Sequence, residues 1–226
     1  MPLNPQVWGL SSLSPRIGGR GARIIIHYSL FIIHYSLYFM IQTIEKRLTL
    51  DAFLQLPETK PTKEYIEGEI IEKPRPQSKH SRIQLKLGML IENIASKDKI
   101  ASAFTELRCT FNERSLVPDL SILKWENIPL DSEGELINKI TIPPDWVIEI
   151  LSPEQNILKV TKNILFCLKS GTQLGWLIDP EDKSILVYYP DKATDYFENN
   201  NEQLPVPQFL PELKLTVGEI FAWLKY

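Results

Sequence analysis

An α/β fold, a mixed central sheet flanked by helices, is predicted by three observations. Short apolar, β-branched runs recur at 102–111, 117–123, 145–151, 174–178 and 184–190, with the length and composition of buried strands. Two segments carry helical apolar periodicity instead, Ile83, Leu87, Leu90 and Ile94 in one, Val160, Ile164, Cys167 and Leu168 in the other. Turn residues separate these runs in single file, and no long low-complexity stretch interrupts them after residue 48.

The elements follow in order. Thr49 and Asp51 open a short helix that Pro57 ends, within 48–56. Residues 64–73 form two strands or a bent hairpin about Gly68. Ser78 is the N-cap expected for a helix to about Ala95. Three strands come next, and 124–143, with acids, Gly134 and bounding prolines, is a loop inserted between the last two. A helix over 157–169 is closed by Gly171, and two more strands turn at Pro180, Glu181 and Asp182. The Asn- and Pro-rich stretch 191–211 predicts a long loop before a final helix near 217–225.

The 226 residues suit one domain with an extension, and 43% hydrophobic residues can fill a core. Cys109 and Cys167, both in apolar runs, are expected as buried thiols, in keeping with a reducing cytoplasm. The formal charge is −3, yet residues 1–39 hold Arg16, Arg20 and Arg23 and no acid. An acidic remainder excludes a generic basic coat for nucleic acid. Local charge differs: Lys73, Arg75, Lys79, His80, Arg82 and Lys86 form a run without an acid, suited to phosphate or to a solvated face. Residues 24–41 are apolar and repeat IIHYSL at 25–30 and 32–37. Histidines, serines and tyrosines weaken that segment as a membrane span, so residues 1–39 are assigned to an extension outside the fold and Met40 to the expected native start.

Asp119 and Glu149 are the acids inside the apolar runs VPDLSIL (117–123) and WVIEILSP (146–153). A buried carboxylate is costly unless paired, hydrogen-bonded or metal-bound, so two of them predict one site. Strand-borne oxygen ligands with room for water and phosphate suit Mg2+ or Mn2+ and metal-assisted hydrolysis. Trp146, Trp176, Phe166, Tyr188 and Tyr189 fall in core-like positions, and Ser152 lacks the elbow of a nucleophile.

These residues also carry a resemblance. EYIEGEIIEKP (64–74), SKHSRIQ (78–84), VPDLSIL, PDWVIEILSPEQ (144–155) and GTQLGWLIDP (171–180) stand in the order of the Uma2 family, common in cyanobacteria and part of the PD-(D/E)XK superfamily. The resemblance covers about 48–226 and implies a restriction-endonuclease-like core and a Mg-dependent endonuclease acting on DNA, with no small-molecule cofactor and with homodimers frequent in the superfamily. It implies Asp119 and Glu149 as metal ligands and catalytic residues, Glu69 as a third ligand, with Glu64 and Glu67 as weaker alternatives in the same strand, and His80 as a phosphate or proton contact. The chain departs from the pattern twice. Leu151 stands where the superfamily has a lysine, and Asn163 where Uma2-like proteins carry one on the following helix. Lys159 and Lys162 are the available substitutes; helical geometry turns both toward solvent, and Lys162 is preferred because side-chain reach covers part of a turn. An inert nucleic-acid- or protein-binding module on the same fold is the alternative, and a membrane-anchored protein the third reading.

Overall fold

The computed structural model describes residues 48–153 and 155–226, within the compact unit Leu48–Tyr226. The apolar segment 24–41, its repeat and Met40 lie outside the described residues. Among the described residues no helix is long and apolar enough to cross a membrane.

The chain runs α1 (Leu50–Leu54), β1 (Lys63–Ile66), β2 (Glu69–Glu72), α2 (Ser78–Ala95), β3 (Ala101–Thr105), β4 (Cys109–Phe111), β5 (Arg114–Leu116), β6 (Leu120–Lys124), a 3-10 turn (Trp125–Asn127), β7 (Trp146–Ile150), α3 (Ile157–Lys169), β8 (Leu174–Asp179), β9 (Ser184–Tyr188), β10 (Asp195–Phe197) and α4 (Val217–Ala222). Thr49 caps α1 by accepting from the Ala52 N–H at 3.2 Å. Gln77, not Ser78, is the N-cap residue of α2, and its side chain makes no capping bond. Asn156 caps α3 through the N–H groups of Leu158 and Lys159.

The central sheet has the order β10-β9-β8-β7-β6-β3 and is antiparallel except for β7 beside β8. That parallel pair needs a crossover, which α3 supplies. Gly175 on β8 lets α3 approach: a Cβ there would stand 2.3 Å from Ile164 Cγ2. One sheet face, with Trp146, Ile148, Ile150, Leu120 and Ile122, packs under α2 and the C-terminal segment. Trp146 meets Trp176 edge-on, ring centroids 4.8 Å apart. The other face turns Val147, Leu151 and Leu177 toward Val160, Ile164 and Cys167 of α3 and toward a small second sheet.

That second sheet, β2-β1-β5-β4, departs from the single strand expected over 102–111. Asn112 and Glu113 take positive φ of 45° and 62°, forming a tight reversal that pairs β4 with β5. The stretch therefore divides between two sheets. β10 likewise interrupts the loop expected over 191–211, pairing with β9. Along α2 the fully buried apolar row is Ile83, Leu87, Ile91 and Ala95, with Leu90 and Ile94 at its margin. Cys109 and Cys167 are buried and free.

Candidate active site

Asp119 and Glu149 meet because of register. β6 and β7 pair Leu120 with Ile148 and Ser121 with Val147, and continuing that ladder by one residue sets Asp119 opposite Glu149 on one face. Both carboxylates are buried. Asp119 Oδ2 accepts the Ile150 N–H at 2.7 Å, and its carbonyl accepts Gln84 Nε2 at 2.8 Å. His80, in the first turn of α2, places Nε2 3.1 Å from Asp119 Oδ2. Asp119, Glu149 and His80 are thus brought together.

The cation between the carboxylates is Lys73. Its Nζ donates to Asp119 Oδ1 at 2.8 Å, Glu149 Oε2 at 3.3 Å and the Val117 carbonyl at 2.7 Å. Glu64, also buried, accepts the Val117 N–H at 2.8 Å, and Asn163 Nδ2 lies 3.4 Å from its other oxygen. Burial disfavours the charged form of Lys73, but Asp119, Glu149 and Glu64 outweigh it and hold the ammonium charged. Burial would raise Asp119 too, yet Lys73 and His80 keep it well below the usual carboxylate range. Glu149 goes the other way: burial, with the charges of Asp119 and Glu64, pushes it well up against the pull of Lys73. Glu64 is also raised, chiefly by burial.

Lys162 and Glu69 are not brought to this site. Lys162 projects from the exposed face of α3, its side chain 59% exposed, and pairs with Glu67 at 3.1 Å. Helical geometry wins over side-chain reach, since Val160, Ile164, Cys167 and Leu168 take the inner face. Glu69 is exposed beside the β1–β2 turn. Glu67 and Gly68 form that two-residue turn, with φ of 54° and 87°, so Ile66 pairs with Glu69 and Glu64 with Ile71. Glu64 and Glu69 therefore share a face, but Glu64 sits two rungs deeper. The same parity carries Lys73 to that face, where its N–H donates to the Thr62 carbonyl at 2.9 Å. Reasoning from sequence ranks Glu64 below Glu69 and reads Lys73 only as part of a basic run; a two-residue turn at Gly68 is the signal that sets both inward.

A cleft of about 530 Å³ opens onto this network, lined by Lys60, Arg75, His80, Asp119, Ser152 and Gln155 among others. The basic run does not act as one patch. Lys79 is paired with Glu181 at 2.8 Å, and Arg82 donates to the Trp223 carbonyl at 3.2 Å, leaving Lys73, Arg75 and His80 on the cleft.

The family model Uma2, described as "Putative restriction endonuclease", matches residues 50–218. The chain belongs to the Uma2 family. Its Uma2 domain has the restriction-endonuclease-like fold and is similar to the crystal structure of a "putative nuclease belonging to DUF820" from Anabaena variabilis ATCC 29413, with 53% identity and a TM-score of 0.77. That match covers 78% of this chain and 98% of the other. No curated protein matches the chain.

Proposed function

We propose that this Uma2 protein is a divalent-metal-dependent endonuclease hydrolysing phosphodiester bonds of DNA. One observation carries the reading: Asp119 and Glu149, from facing positions on adjacent strands, share a single cation, Lys73, which lines a cleft together with Asp119. Family membership and the nuclease relative support the reaction class.

The residues present fit a small hard cation. Two buried carboxylate oxygens already hold a positive charge between them, and hard oxygen donors are what Mg2+ or Mn2+ takes. Among the described residues no group of three or more His, Cys, Asp or Glu forms a ready-made metal cage. Magnesium keeps several waters and binds through one or two carboxylates, which Asp119 and Glu149 can supply, plus phosphate. Asp119 and Glu149 would hold the ion, which would supply Lewis acidity toward the phosphate and a more acidic water. His80 and the Ile150 N–H fix the Asp119 carboxylate, so that it meets a ligand without reorganising. Arg75 and Lys60 give the cleft positive charge for the flanking phosphates.

Incubation of plasmid and linear DNA with the purified protein in Mg2+, Mn2+ or EDTA tests this. Cutting is expected with either ion and not in EDTA, and Asp119→Ala or Glu149→Ala should lower it by about three orders of magnitude while leaving a cooperative unfolding transition. Persistent cutting by either variant, or in EDTA, would reject the site. DNA retention without cutting by the parent would instead indicate a binding module on this fold.

A further inference from the structure

We propose that Lys73 is the reaction's ammonium group: it holds the Asp119–Glu149 pair in the ion-free protein and turns its charge to the phosphate when a divalent cation takes the carboxylates. This rests on the nuclease reading above. The helix sends no such charge to the pair: Asn163 is neutral and lies against Glu64, Lys162 is engaged by Glu67 at the surface, and Lys159 is exposed. Lys73 comes from a different element, the end of β2, and still reaches the pair.

Its geometry suits exchange better than a fixed structural pairing. The three hydrogens of the ammonium go to Asp119, Glu149 and the Val117 carbonyl. A divalent ion on the same two oxygens would meet the ammonium as a like charge, and only the Val117 contact would remain to it. Lys73 lines the cleft together with Arg75, His80 and Asp119, so the displaced ammonium has open space on the side where a phosphate must enter. A four-carbon stem allows such a turn with the backbone held at Thr62. A cation placed beside developing negative charge acts chiefly on the transition state.

The test uses Mn2+ alone as probe, followed by cleavage. If Lys73 competes for the carboxylates, Lys73→Met should bind Mn2+ about tenfold more tightly than the parent in calorimetric titration, and Lys73→Arg should bind it like the parent. With saturating Mn2+ and DNA, Lys73→Met should lose about 10²-fold in kcat with little change in KM, and adding Asn163→Lys should recover part of that loss. Lys73→Gln, which keeps a donor for the Val117 carbonyl, replaces the Met variant if the latter does not fold. Unchanged or weaker Mn2+ binding in the neutral variants overturns the proposal, as does parental kcat. A parent that binds Mn2+ but cuts no DNA sinks the nuclease reading, and the Mn2+ titration then still decides whether lysine and ion share the pair.

Discussion

Asp119 and Glu149 occupy one buried site, yet their acidities are driven apart. Glu149 is pushed up by burial and by its acidic neighbours, whereas Lys73 and His80 hold Asp119 down. The native protein therefore binds the Glu149 proton more tightly than the unfolded chain. Its contribution to stability is full below the ordinary glutamate value and is lost as pH rises through the raised native one. Asp119 contributes in the opposite sense, with stability present above its ordinary value and lost in acid. Glu149→Gln, neutral at every pH, should raise the Tm of the metal-free protein by about 3 °C at about pH 8 and change it little near pH 5. A scan of Tm against pH in EDTA checks this, and equal shifts at both ends would show that Glu149 is ionised throughout. At this scale the sequence was partly legible. The acids stood out because charge is rare in apolar strands. Lys73 did not, because one lysine in a basic run looks like its neighbours until strand parity aims it inward.

Two elements set the geometry of the site, the β1–β2 hairpin and the β7–α3–β8 crossover. The hairpin decides which acid is interior: its turn pairs Ile66 with Glu69, leaving Glu69 at the tip and Glu64 two rungs within. The crossover decides what α3 presents, since Ile164 must fit against Gly175. Gly175→Ala would drive a methyl into Ile164 Cγ2 and force α3 outward, at a cost of about 1–3 kcal/mol. Urea unfolding should show that loss, and DNA cleavage should fall as well, because Asn163 and its contact to Glu64 ride on the same helix. Helix limits were legible from capping and periodicity, as α3 shows by spanning 157–169 with the expected inner face. The three-residue strands β4, β5 and β10 were not, because so few residues carry no period.

At the scale of the whole molecule, this chain extends beyond the part it shares with the Anabaena relative. Nearly all of that chain, 98%, is matched by 78% of this one. A protein begun at Met40 should therefore fold and unfold with a Tm within about 2 °C of the full chain, and cut DNA at the same rate. Differential scanning calorimetry of the two forms tests this, and a large fall in Tm would assign residues 1–39 a part in the fold. The acidic balance of the whole chain does not oppose a nucleic-acid substrate, because Lys60, Lys73, Arg75 and His80 line a cleft that reaches Asp119.

The sequence by itself determined the α/β class, the limits of the two long helices, and Asp119, Glu149 and His80 as candidates. The class, the helices and the two acids rest on local information, periodicity and charge placed where charge is costly, whereas His80 came from the family resemblance. The tertiary structure alone decided the order of the strands, the division of 102–111 between two sheets, and the partners of the two acids. Those depend on which surfaces meet. Lys73 is 46 residues from Asp119 and 76 from Glu149, and only the pairing of two sheets brings its ammonium between them.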